Sequence, residues 1–152
     1  MKQFLFILFI IFYSATSVAQ IPYSIHLNQT NGLPSNAVYD VHQDSRGFIW
    51  LASNDGLTRY DGFEYKTYKS DEQTSFAGSC IREDHYGRIW YENFDGFLYY
   101  VQHDSLVALN NKASAGYTPF VVTSNHLFLM QIDGVECFNL TSLKKEKYIP
   151  AK

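Results

Sequence analysis

The feature that most limits what this chain can become is a repeat with a period of 40 residues. Asp44-Ser45-Arg46-Gly47 returns as Asp84-His85-Tyr86-Gly87, Ile49-Trp50 as Ile89-Trp90, and Asp55-Gly56 as Asp95-Gly96. Ser35-Asn36-Ala37 returns as Ser75-Phe76-Ala77. A third copy is weaker. Leu127-Phe128 and Asp133-Gly134 stand 38 residues after Ile89-Trp90 and Asp95-Gly96, while Val121 stands 40 after Ile81. The two missing residues fall in the turn before Leu127. There Trp gives way to Phe and the turn glycine to Asn125, a residue that tolerates the left-handed conformation. Self-similarity of this length marks units that bury their apolar faces against one another.

Each copy reads as short antiparallel strands. Tyr39 to Gln43 is a first strand, Ser45-Arg46-Gly47 a turn, and Phe48 to Ser53 a second, apolar strand. Asn54-Asp55-Gly56 is a strong hairpin signal, because Asp-Gly supplies the positive φ of primed turns. Leu57 to Tyr60 is a third strand, Asp61-Gly62 turns again, and Phe63 to Tyr68 alternates as a half-buried edge strand does. Four strands in about forty residues make the blade of a β-propeller. The expected fold is therefore all-β: an incomplete propeller with blades at residues 31–70, 71–110 and 111–150. The aromatic content of 17% fits such a chain, since sheets favour these residues. Trp50 and Trp90 obey the period in mid-strand, which points to core packing between blades rather than a sugar-stacking platform.

Composition excludes several classes. Twelve Lys and Arg against fifteen Asp and Glu give a net charge of −3 and no basic stripe, so nucleic acid is not expected as a partner. Two Cys are too few for a disulfide scaffold or a Cys-rich zinc site. Cys80 and Cys137 map to first and third strands of different blades, too far apart to pair. His26, His42, His85, His103 and His126 show no metal-ligand spacing, and no calcium-loop pattern occurs, so no metal or cofactor is expected. Glu83-Asp84-His85 is rich in acid–base groups, yet Asp84 repeats Asp44, and such an Asp more often bonds turn amides.

The N-terminus has the layout of a secretory signal peptide: Lys2, an apolar run from Phe4 to Tyr13, then small residues at Ser17 and Ala19. The run is short of the roughly twenty apolar residues that a spanning helix needs. Residues 1–19 are read as a signal peptide and the exported, periplasmic form is expected to begin at Gln20.

The repeated motifs resemble the two-component regulator propeller repeat, D-x-x-G-x-[LI]-W-[IL]-[GA]-[TS]-x-x-G-[LI]-x-x-[YF]. Asp44 to Tyr60, DSRGFIWLASNDGLTRY, matches at every marked position. Asp84 to Tyr100, DHYGRIWYENFDGFLYY, keeps the Asp, both Gly and the Trp but carries Tyr91-Glu92-Asn93 in place of the aliphatic, small and hydroxyl residues. The resemblance implies the exported sensor region of a bacterial hybrid or sensor histidine kinase, or of a related membrane-bound regulator. It also implies further blades and signalling domains of a parent protein as partners, with this chain expected to be its N-terminal piece and itself no enzyme.

The repeat assigns structural roles to Asp44, Gly47, Trp50, Gly56, Asp84, Gly87, Trp90, Gly96 and Gly134. By fold analogy, propeller ligands are met by the loops entering first strands (residues 30–35, 70–75 and 110–117) and by those between second and third strands. Asn54, Asp55, Asn93 and Asp95 are then the candidate residues for a carbohydrate or other small polar ligand. Two alternatives to the sensor module are an exported propeller lyase or hydrolase and a small glycan-binding protein that closes its ring by self-association.

Overall fold

The computed structural model describes residues 24–112 and 120–151. The expected signal peptide, the start at Gln20 and most of the 110–117 loop lie outside the described residues. Among the described residues, twelve strands form three four-stranded antiparallel sheets, each a meander in chain order. Blade 1 holds β1 (Val38–Gln43), β2 (Ile49–Ser53), β3 (Gly56–Tyr60) and β4 (Tyr65–Tyr68). Blade 2 holds β5 (Gly78–Glu83), β6 (Ile89–Asn93), β7 (Phe97–Gln102) and β8 (Ser105–Lys112). Blade 3 holds β9 (Phe120–Val122), β10 (His126–Gln131), β11 (Gly134–Asn139) and β12 (Lys145–Pro150). The helical content among the described residues is a single 3-10 turn at Gln29–Asn31. No helix there is long and apolar enough to cross a membrane.

The expected edge strand from Phe63 starts two residues late. Asp61 Oδ1 accepts the amides of Phe63 and Glu64, both at 2.8 Å, so the chain is still turning there. Phe63 is left 93% exposed.

The core lies in two seams. Between blades 1 and 2 pack Trp50, Ala52, Leu57 and Tyr68 against Ile81, Ile89, Tyr91, Tyr99 and Leu106. Between blades 2 and 3 pack Trp90, Leu98, Tyr100 and Leu109 against Phe120, Leu127, Leu129, Phe138 and Leu140. The period-2 alternation of each strand divides its side chains between faces. Trp50 and Trp90 therefore point forward, each into the seam with the next blade, and both are essentially fully buried. Phe128, at the same position in blade 3, also points forward, away from the seam behind it, and is half-buried.

Polar contacts fasten the seams. Glu83 on β5 accepts the Ser45 amide at 2.7 Å and its hydroxyl at 2.6 Å. Asp40 accepts the Ile81 amide at 2.7 Å. Arg88 donates to the Leu140 carbonyl at 2.7 Å, and the Tyr86 hydroxyl meets that of Thr141 at 2.6 Å. The acidic run around Asp84 is thus spent on packing blades together. Both cysteines are buried and free.

Two turn assignments are corrected. Asn125 is not in the left-handed region. Its turn is closed by Thr123, whose amide and hydroxyl both donate to the His126 carbonyl at 2.9 and 3.0 Å. Gly134 also lacks the positive φ seen at Gly56 and Gly96. It is required by close approach instead: a Cβ there would stand 2.3 Å from the Ile149 carbonyl oxygen and 2.7 Å from the Tyr148 hydroxyl.

Candidate functional site

The aspartate that opens each motif organises one end of its blade. Asp44 Oδ1 accepts the amides of Arg46 and Phe48 at 3.0 and 2.9 Å, while Oδ2 accepts the Trp50 indole N–H at 2.8 Å. Asp84 repeats this with Tyr86, Arg88 and Trp90 at 2.9, 3.0 and 2.7 Å. The turn bonds follow from the Asx-turn reading. The indole bond explains why Asp and Trp travel together: a buried carboxylate needs donors and a buried indole needs an acceptor. Burial pushes the Asp44 carboxyl up, but the bonds from Trp50, Phe48 and Arg46 outweigh it and hold the group below the ordinary carboxylate range.

At this end the seam between blades 1 and 2 opens into a cleft of about 720 Å³. Its floor is the edge of Trp50, with Tyr68 and Ile89. Its walls are four turns: β1–β2 with Arg46, β5–β6 with Tyr86 and Arg88, β7–β8 with His103 and Asp104, and β11–β12 with Leu140 and Thr141. Arg46 and Arg59 both lie over the Phe48 ring, at 5.3 and 4.6 Å from its centroid. Arg88 is sandwiched among Tyr86, Trp90 and Tyr100 and fixed to Asp84 Oδ2 at 2.7 Å. Arg59 has no carboxylate within ion-pair distance among the described residues and lines the cleft. His103 and Asp104 both adopt positive φ, which brings Asp104 against Lys66 and the Tyr68 hydroxyl, the latter at 2.8 Å. Burial and that bond push the Tyr68 phenol up to about 12, so it stays a neutral donor. Aromatic surface beside fixed donors and acceptors, in a cleft of this volume, suits a polar organic ligand.

The opposite end carries the residues expected from sequence. Asn54 and Asp55 are exposed at the β2–β3 turn, and Asn54 Oδ1 accepts the Tyr39 hydroxyl at 3.1 Å. Asp95 is half-buried and accepts the Thr74 hydroxyl at 2.6 Å. Asn93 does not belong with them. It is fully buried, donating to the Ser75 carbonyl at 3.1 Å and accepting the Phe97 amide at 2.8 Å. Both ends of its amide are used in holding its hairpin, in the place of Ser53 in blade 1. The structure thus separates the sequence candidates from the cleft by the length of a strand.

Sequence reasoning missed Arg46, Arg59, Tyr86 and Arg88. They occupy the unspecified positions of the motif, so a search for what repeats passes over them. The available signal was their placement beside the fixed Asp and Trp of two successive turns.

The two-component regulator propeller family matches residues 32–55. Histidine kinase P4 of Formosa agariphila is 36% identical over 45 residues, which is 30% of this chain and 3% of that protein. Among solved structures, the extracellular domain of a hybrid two-component system from B. thetaiotaomicron superposes with a TM-score of 0.64 at 22% identity, over 84% of this chain and 20% of that one. Virginiamycin B lyase from Staphylococcus aureus superposes with a TM-score of 0.60 at 19% identity, over 80% of this chain and 43% of that one. These structural likenesses carry the fold. The chain spans only a small part of the curated relative and of the two-component structure. With the repeat, the match over residues 32–55 and this blade array on one chain, its first blade resembles the two-component regulator propeller repeat and the chain is built as an incomplete β-propeller.

Proposed function

We propose that this chain is the extracytoplasmic, ligand-sensing propeller portion of a two-component sensor. On this reading it works with the remaining blades and signalling domains of a parent protein and is not itself an enzyme. The observation that carries the sensor reading is the family match at residues 32–55, over the opening of blade 1. The ligand reading is supported by the interblade cleft, whose Arg59 donors and exposed Tyr86 ring fit a carbohydrate or another small polar molecule. The apolar run at residues 4–13 and the small residues at Ser17 and Ala19 support export, with a start at Gln20.

The test is a glycan-array screen of the purified chain and of its parent sensor, followed by calorimetry with variants at each end. Arg59→Ala and Tyr86→Ala weaken binding if the cleft is the site. Asp55→Ala and Asp95→Ala weaken it instead if the ligand meets the β2–β3 loops. Binding to neither, or turnover of a bound saccharide or streptogramin, would displace the sensor reading in favour of a propeller enzyme.

A further inference from the structure

The far side of blade 3 gathers three metal-ligating side chains from three strands. His126 opens β10, Cys137 lies in β11 and Glu146 lies in β12. A His ring nitrogen, the Cys Sγ and a carboxylate oxygen all fall within 4.8 Å of one another. The sequence spacing of these residues matches no metal motif, because pairing across the sheet, not proximity along the chain, brings them together. Phe128 pairs with Cys137 and His126 with Asn139, which puts His126 and Cys137 on the same face. Glu146 joins them through an irregularity. Cys137 pairs with Lys147 and Phe138 with Lys145, leaving Glu146 as the extra residue of a β-bulge. Bulges re-aim a side chain in this way.

We infer that His126, Cys137 and Glu146 form a binding site for a divalent transition metal of the zinc class, with water as a fourth ligand. This inference stands apart from the ligand-sensing reading. The donor set is one imidazole nitrogen, one thiolate sulfur and one carboxylate oxygen, the three types that zinc accepts. Tetrahedral bonds of ~2.0–2.3 Å put ligand atoms roughly 3.3–3.8 Å apart, so side-chain rotations that draw the atoms together by about 1 Å close the set. The carboxylate is already oriented. Asn139 Nδ2 donates to Glu146 Oε1 at 3.0 Å, and Oε2 faces His126 Nε2 at 3.1 Å. Fixing one carboxylate oxygen while the other faces the metal is how supporting residues position a ligand. Cys137 is buried, His126 is half-buried and Glu146 is exposed on the outer strand β12, so a sheltered sulfur lies beside an accessible carboxylate. On binding, the thiol releases its proton to solvent and the sulfur takes the metal as thiolate. The metal would clip the exposed strand β12 to β10 and β11.

Titrating the full chain with Co²⁺ tests this, because thiolate coordination to cobalt gives a charge-transfer band and tetrahedral geometry gives intense visible bands. The expected result is both bands at one equivalent, their loss on adding Zn²⁺, and a rise in melting temperature with Zn²⁺. Cys137→Ser removes the charge-transfer band, Cys80→Ser keeps it, and Glu146→Gln, an exposed change that leaves the fold intact by circular dichroism, weakens binding. Asn139→Ala weakens it by about tenfold, as loss of an orienting partner does. A chain that gives no charge-transfer band, or keeps it in folded Cys137→Ser, overturns the site.

Discussion

Blades 2 and 3 solve the same turn in different ways. Blade 2 uses a buried carboxylate: Asp84 gathers two turn amides, the Arg88 guanidinium and the Trp90 indole. Blade 3 has a two-residue shorter connection, Phe128 in place of the Trp, and Thr123 closing the turn with its hydroxyl. The pair of changes is coherent. Phe has no N–H, so a buried carboxylate beside it would lack the indole donor and cost free energy. The lesson is that Asp and Trp form one unit. A blade can drop both together, whereas dropping the Asp alone leaves the buried indole N–H unpaired and dropping the Trp alone takes a donor from the buried carboxylate.

The largest test of that contrast compares the two aromatics. Trp90→Ala opens a cavity in the second seam and takes one of the two donors from Asp84 Oδ2, so a loss of about 3–5 kcal/mol is expected. Phe128→Ala, on the half-buried forward face, is expected to cost less than half as much in this chain. Urea midpoints for the two variants decide it, and equal shifts would mean that Phe128 is packed as tightly as Trp90.

A double-mutant cycle sharpens the point. Trp90→Phe removes the indole donor with little loss of volume, and Asp84→Ala removes the acceptor. The two are expected to couple by about 1–3 kcal/mol, the double variant costing less than the sum. Additive losses would show that the Asp and the Trp act independently.

Acid should also tell the blades apart. Folding holds Asp44 below its ordinary carboxylate value, so its contribution is fully present above that value and is lost as pH falls through the lower folded one. Asp61 and Asp104 are shifted the same way, Asp61 by the Glu64 and Phe63 amides and Asp104 by Lys66 and Tyr68. Stability is therefore expected to fall as pH drops below the ordinary carboxylate value of about 4, and Asp44→Asn to make that fall shallower. Thr123→Ala lowers stability without changing the acid slope, because a hydroxyl does not titrate there. Midpoints measured at several acidic pH values separate the two, and an unchanged slope in Asp44→Asn would remove Asp44 from the account.

How much of this the sequence shows depends on whether a residue repeats. The three blades, their strands and the burial of Trp50 and Trp90 between blades follow from the period and the alternation alone, whereas the direction each Trp faces does not. So does the turn role of Asp84. What the period hides is whatever differs between copies. Asn93 looks like a loop amide until its hairpin is seen to consume both ends of it. Arg59 and Tyr86 line one cleft only because a third strand in one blade and a turn in the next share a seam. His126, Cys137 and Glu146 converge through register and a bulge, neither of which leaves a spacing in the chain.

The smallest effect separates the two turns at a single position. Gly87 has φ +74 with open space around the position of a Cβ, so Gly87→Ala suffers from backbone strain and not from a clash. An L-residue in the left-handed region costs roughly 1–2 kcal/mol. Asn125 holds the corresponding place in blade 3 with negative φ, and its backbone carbonyl, which accepts the Leu140 amide at 2.9 Å, is kept by any substitution. Asn125→Ala should therefore lie within about 0.5 kcal/mol of the parent chain. Asn125→Gly, which would help a turn needing the left-handed region, should lower stability slightly through the added freedom of the unfolded chain. Melting curves of the three variants settle the comparison. A gain from Asn125→Gly would show that the third turn is strained after all and that Asn125 is a poor stand-in for the glycine of the other two blades.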